Sequence, residues 1–213
     1  MAVITISREY GSEGTVVGKG ISEKLNYLNV DKNMIGEVLQ KYGMITFDKL
    51  LEERHNIWDR FDYGSTQMVR MLGKTMLAFA SLDNCVIMGR GGFVVMSEYQ
   101  NVLNVLIRAP FDIRVGNVLE RIEAESFEAA ERLVEKNDRL REDFLRVFYG
   151  VQSNDTDLYN LVIDTDKVSN DMAVRWICDA AAEIDKRDII EQNSTLNLEV
   201  NRILADTVKS VIK

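Results

Sequence analysis

A β-branched apolar run, Val3-Ile4-Thr5-Ile6, opens the chain and reads as a buried strand. It runs directly into Ser7-Arg8-Glu9-Tyr10-Gly11-Ser12-Glu13-Gly14-Thr15, and a helical pattern follows over residues 16–25. Strand, glycine turn and helix in that order gather free backbone N–H groups and the positive end of a helix dipole around one point, which is an anion site. A complete phosphate-binding loop, G-x-x-x-x-G-K-[ST], adds a lysine for the β/γ-phosphates and a hydroxyl for Mg²⁺. With Thr15 at the hydroxyl position, the lysine position holds Gly14. Lys19, between Gly18 and Gly20, does not restore the motif, because the spacing from Gly14 is one residue short and no Ser or Thr follows it. It belongs on the solvent side of the helix.

Five short apolar runs, residues 3–6, 27–30, 85–88, 102–107 and 161–163, alternate with helical patterns. That alternation predicts an α/β protein with a five-stranded, mostly parallel sheet covered on both faces. Ligands of such sheets bind beyond the C-terminal ends of the strands. The loop after the first strand lies there, and so does a second glycine turn, Gly89-Arg90-Gly91-Gly92, directly after the third.

A helical insertion spans residues 33–82, with apolar positions at Met34, Ile35, Val38, Leu39, Leu50, Leu51, Ile57, Trp58, Met68, Met71, Leu72, Met76 and Leu77. Methionines at that spacing are core before they are a promiscuous groove. A second insertion, residues 123–150, is densely charged and reads as a solvated helix with i,i+4 pairs such as Glu135–Arg139. An arginine-bearing helix folded over a polyphosphate has the same pattern. Residues 1–185 therefore form the main domain and 186–213 a helical tail, with Leu196, Val200, Ile203, Leu204, Val208 and Val211 on one side. Packing of the tail on its own domain is preferred; a homodimer contact is the alternative.

A net charge of −8 argues against a nucleic-acid binder, which needs a basic face, but leaves room for a small nucleotide held by a few arginines. Cys85 and Cys178 sit in apolar stretches and read as buried free thiols of a reducing compartment. With His55 the only histidine, neither a Cys/His catalytic pair nor a histidine metal site is expected. No apolar run approaches a membrane span, so the expectation is a cytoplasmic protein with no membrane partner.

The opening Ile4-Thr5-Ile6-Ser7-Arg8-Glu9-Tyr10-Gly11-Ser12 resembles the cytidylate-kinase-like family. So do Asn29-Val30-Asp31-Lys32, Val86-Ile87-Met88-Gly89-Arg90-Gly91, Leu106-Ile107-Arg108-Ala109-Pro110, Lys136-Asn137-Asp138-Arg139 and Leu158-Tyr159-Asn160-Leu161-Val162-Ile163-Asp164-Thr165. The resemblance covers residues 1–185 and implies a P-loop NTPase-type three-layer α/β/α fold, related to nucleoside-monophosphate kinases, with the first insertion binding the acceptor and the second acting as a lid. It implies that Gly11, Ser12, Gly14 and Thr15 cradle donor phosphates and that Thr15 holds Mg²⁺. It places Arg90 and Asp31 at the acceptor, and Lys136, Arg139 and Arg141 in the lid. The chain departs from true cytidylate kinases at Gly14, in place of lysine, and at Gly91, in place of aspartate. Glu13 also puts a carboxylate inside the loop, where it repels phosphate unless turned outward.

Phosphoryl transfer requires positioning, Mg²⁺ and cations on the equatorial oxygens. Without the loop lysine, Arg8, Arg90, Arg139 and Arg141 are the candidates, since arginine grips phosphate bidentately. For Arg8 the competing reading is a surface pair with Glu9 or Glu13. The leading expectation is ATP-dependent phosphoryl transfer to a small acceptor, a CMP-like nucleoside monophosphate. The alternative is a non-catalytic nucleotide or phosphate sensor with a degenerate loop.

Overall fold

The computed structural model describes residues 2–44, 63–122, 124–189 and 191–212. Leu50, Leu51, His55, Ile57 and Trp58 lie outside the described residues. Five parallel strands, β1 (Val3–Arg8), β2 (Leu28–Val30), β3 (Cys85–Met88), β4 (Val102–Arg108) and β5 (Leu161–Asp164), form one sheet in the order β2-β3-β1-β4-β5. β1 is central, pairing Ile6 with Met88 on one side and with Val105 on the other. A strand walled on both edges and both faces must be continuously apolar, as Val3, Ile4 and Ile6 are. β1 and β4 run past their apolar signal to Arg8 and Arg108, because the ladder continues through Arg8 opposite Ile107 and Arg108 opposite Asp164. Two arginines are thereby fixed at the C-terminal edge of the sheet.

Alternation along β1 sends its side chains to two separate cores. Ile4 and Ile6 face α1 (Gly14–Leu25) and α7 (Asn170–Asp185), meeting Val17, Ile21, Ala173 and Ile177. Val3 faces the other side, where α2 (Lys32–Lys41) and α3 (Tyr63–Ala80) supply Ile35, Leu39, Leu72 and Met76. Met68 and Met76 are buried core residues. α4 (Gly92–Val95), α5 (Phe111–Ile122) and α6 (Phe127–Tyr149) follow β3 and β4. The charged segment at 123–150 contains one helix, α6, started by Ser126, whose hydroxyl accepts from Ala129 N–H, and stopped by Gly150 in the left-handed region.

The C-terminal helix α8 (Arg202–Ile212) buries Leu204 and Val208 in the same core as α2 and α3. The segment before it is tied to the sheet through Thr195, whose N–H donates to Asn101 Oδ1 at 2.9 Å and whose hydroxyl donates to Ala80 O at 3.1 Å. Asn101 Nδ2 returns a bond to Thr195 Oγ1 at 2.7 Å. Cys85 and Cys178 are buried free thiols, and burial pushes both thiols up. Among the described residues no helix is long and apolar enough to cross a membrane.

Because Leu204 sits inside the core, Leu204→Ala is expected to cost about 2–4 kcal/mol in urea unfolding. A loss under about 1 kcal/mol would show that α8 is not part of the cooperative core.

Candidate active site

Both glycine turns identified in the sequence open onto the C-terminal edge of the sheet, on either side of β1. In the loop between β1 and α1, Gly11 adopts φ 83°, and a Cβ there would lie 2.5 Å from Arg114 O. Asn117 Nδ2 donates to Gly11 O at 2.9 Å, so the loop is pinned onto α5. Glu13 precedes α1 at φ 66° without a side-chain cap. Arg90 adopts φ 59° in the second turn. Glu13 and Arg90 are thus both non-glycine residues held in the left-handed region at this edge of the sheet.

Glu13 does not oppose an anion in the loop. Its carboxylate pairs with Arg121 of α5 and lies 3.5 Å from Asn170 Nδ2. Glu9 is engaged as well, accepting from Ala109 N–H at 3.0 Å and lying 3.4 Å from Arg114 Nε. Neither glutamate pairs with Arg8, which corrects the surface-pair reading.

Instead Arg8 is drawn into a cluster of like charge. Burial, followed by the charges of Arg141 and Arg90, pushes its guanidinium down to about 10. The three arginines come from β1, the β3–α4 turn and α6, which lie far apart in sequence. Burial likewise lowers Arg141, with Asp138 and Glu9 acting in opposition. Arg8, Arg108 and Arg141 share the wall of a cavity of about 40 Å³ with Ser7 and Tyr159. That space suits an ion or water rather than a nucleotide.

An ion network that the sequence reading missed holds α6 in place. Arg114, only 7% exposed, donates from Nε to Ala109 O at 3.0 Å and from Nη1 to Tyr10 O at 3.1 Å. Nη1 also reaches Asp138 Oδ2 at 2.5 Å. Asp138 Oδ1 accepts from Tyr10 N–H and from Arg141 Nη1, each at 3.3 Å. One aspartate of α6 thus joins the β1–α1 loop, α5 and Arg141. The signal in the sequence was a single arginine beside the apolar stripe of α5, next to Val115 and Val118.

Several expected ligands are placed otherwise. The Ser12 hydroxyl lies 2.9 Å from Glu9 O and 3.0 Å from Ile107 O, and its N–H donates to Glu9 O, so Ser12 staples the loop rather than presenting donors to an anion. Asp31 caps α2 by accepting from Asn33 and Met34 N–H at 2.9 and 3.0 Å. Arg139 is 77% exposed and pairs with Glu135 at 3.2 Å, outside the arginine cluster. Lys136 is partly buried on α6 and takes no part in the cluster. Gly14 and the exposed Thr15 form the first turn of α1.

A cavity of about 400 Å³ opens between α3, α4 and the end of α6, walled by Val69, Arg70, Gly73, Val95, Phe148 and Tyr149. Tyr149 connects it to the arginines, its hydroxyl donating to Arg90 O at 3.4 Å. A larger cavity of about 650 Å³ lies at the opposite edge, beside the first residues of β4 and β5, and contains none of the glycine-turn residues. Among the described residues no group of three or more His, Cys, Asp or Glu is arranged to hold a metal. Mg²⁺ carried on substrate phosphates needs only one or two protein ligands, which Thr15 can begin to supply.

A parallel sheet of order β2-β3-β1-β4-β5 with a glycine loop at the end of its central strand has the P-loop kinase architecture. Solved structures agree. A protein from Eubacterium ventriosum superposes at TM-score 0.69 with 22% identity, covering 88% of this chain and 100% of its own. Shikimate kinase from Acinetobacter baumannii superposes at TM-score 0.50 with 14% identity, covering 88% of this chain and 96% of its own. In sequence, a cytidylate kinase of Pyrobaculum calidifontis is 26% identical over 82% of this chain and 90% of its own length. Residues 3–167 match the cytidylate kinase-like family, and the chain belongs to it.

A buried guanidinium whose pKa is pushed down by burial and like charges destabilises the fold while it is charged, as it is at neutral pH. Arg8→Met keeps the stem and removes the charge, and is expected to raise the melting temperature of the ligand-free protein by about 2–4 °C in calorimetry at neutral pH. A lower melting temperature would mean that Arg8 is compensated in the ligand-free fold.

Proposed function

We propose that the chain transfers the γ-phosphoryl group of ATP to a nucleoside monophosphate, with arginines standing in for the absent loop lysine and CMP the first acceptor to try. The placement of Arg8 beside Arg141 in the wall of one cavity, with its guanidinium lying against Gly89 in the turn that carries Arg90, carries this reading, because several cations there can grip one polyphosphate. The activity named for the Pyrobaculum calidifontis relative supplies the reaction class.

The donor β- and γ-phosphates lie over the first turn of α1, where the N–H groups of Gly14 and Thr15 and the helix dipole face them. Arg8 takes the role of the lysine at the β/γ-phosphates. Arg141 reaches the transferred group from α6, and Arg90 holds the acceptor phosphate from the second turn. Thr15 Oγ1 would help hold Mg²⁺, which would supply charge neutralisation on the donor phosphates. An acceptor phosphate oxygen forms the new bond to the γ-phosphorus as the bond to the β–γ bridging oxygen breaks, and ADP leaves. The acceptor oxygen is already anionic at neutral pH, so the residues have charge to neutralise and no proton to remove. The acceptor base fits the apolar cavity beside Phe148 and Tyr149.

The experiment is a coupled assay with ATP and Mg²⁺ across nucleoside monophosphates, nucleosides and shikimate. Turnover with a monophosphate is expected, falling at least about 100-fold in kcat/KM for Arg8→Met or Arg141→Met and less than about twofold for Arg139→Ala. No turnover with any acceptor overturns the kinase reading. ATP binding without turnover would instead leave a sensor.

A further inference from the structure

With Thr15 in the hydroxyl position of G-x-x-x-x-G-K-[ST], the first glycine of the motif falls at Arg8 and the lysine at Gly14. Glu13 stands at the second glycine, and the other two departures are reciprocal: a cation stands where the motif has its first glycine, and glycine stands where it has the cation. The structure gives them a common cause. A Cβ built on Gly14 falls onto Arg8 Cβ, inside any permitted contact, and lies 2.9 Å from Arg8 Cγ and 3.3 Å from Ile107 Cβ. Gly14 is buried at the start of α1, and Arg8 is fixed in the ladder opposite Ile107, so neither backbone has room to retreat. The Arg8 stem therefore occupies the space that a side chain at position 14 requires. Its guanidinium then crosses Gly89, where a Cβ would fall on Nη1.

We propose that Arg8 and Gly14 are a single exchanged unit: the phosphate-binding cation has moved from the first helical residue to the end of the first strand, and only one of the two positions can carry a side chain. On this account the loop is rewired rather than degenerate. Restoring lysine at position 14 alone damages the protein, and restoring it together with glycine at position 8 returns the cation to its place in the motif, with Glu13 still at the second glycine. The cation role rests on the proposed function; the steric exclusion does not.

A four-protein cycle tests both parts: wild type, Gly14→Lys, Arg8→Gly and the double variant, each melted without nucleotide and then titrated with Mg²⁺–ATP. Gly14→Lys alone is expected to lower the melting temperature by about 3–10 °C, and by less than half as much in the Arg8→Gly background. Both single variants should lose at least about tenfold in ATP affinity, while the double variant returns to within about tenfold of wild type. Should Gly14→Lys fail to fold, Gly14→Ala carries the same offending Cβ and completes the melting cycle. Equal destabilisation with and without Arg8 overturns the exclusion. A double variant that binds ATP no better than Arg8→Gly overturns the transfer of the cation's role. If the wild type takes up no ATP, the proposed function fails, while the melting cycle still decides whether the two side chains exclude each other.

Discussion

Like-charge convergence at the C-terminal edge of the sheet is the constraint that organises the molecule. After burial, the charges of Arg141 and Arg90 oppose that of Arg8. They stay together because each is anchored by something stronger than the repulsion. Arg8 belongs to the central strand, paired on both sides, and Arg90 is held in a left-handed turn. Arg141 rides on a helix clamped by Asp138 to Arg114 and Tyr10. The two cores flanking β1 supply the rigidity that keeps this strained, cationic edge in place, a trade of stability for function.

Two nearby acids are engaged by groups other than Arg8. Glu13, the carboxylate in the loop, is turned to Arg121, and Glu9 is bound to Ala109 N–H and Arg114. The overall negative charge of the chain thus coexists with a local cationic pocket. Removing Arg114 would release the loop, α5 and α6 together, since its guanidinium bridges Ala109, Tyr10 and Asp138.

The sheet was legible in the sequence because buried parallel strands must be apolar runs, and all five were visible as such. Strand ends were less legible: β1 and β4 continue into arginines through backbone pairing that leaves no apolar trace. The two glycine turns were readable as turns at the C-terminal edge of the sheet, since glycines directly after a buried strand signal a tight turn. Ser12, Asp31 and Arg139 were expected at ligands; in this structure they make a loop staple, a helix cap and a surface pair, contacts set by side-chain direction rather than spacing. Arg114 was overlooked because its partners lie across the fold, at Tyr10 and Asp138. Glu13 looked obstructive only while its partner Arg121 was unknown.

The proposed function requires that three arginines distant in sequence form a single polyphosphate site over the first turn of α1. A crystal structure of the protein with a non-hydrolysable ATP analogue and Mg²⁺ tests it most directly. The account expects the β- and γ-phosphates above Gly14 and Thr15, with guanidinium nitrogens of Arg8 and Arg141 within about 3 Å of their oxygens. Phosphates seated elsewhere, or at that turn with Arg8 directed away from them, would contradict it.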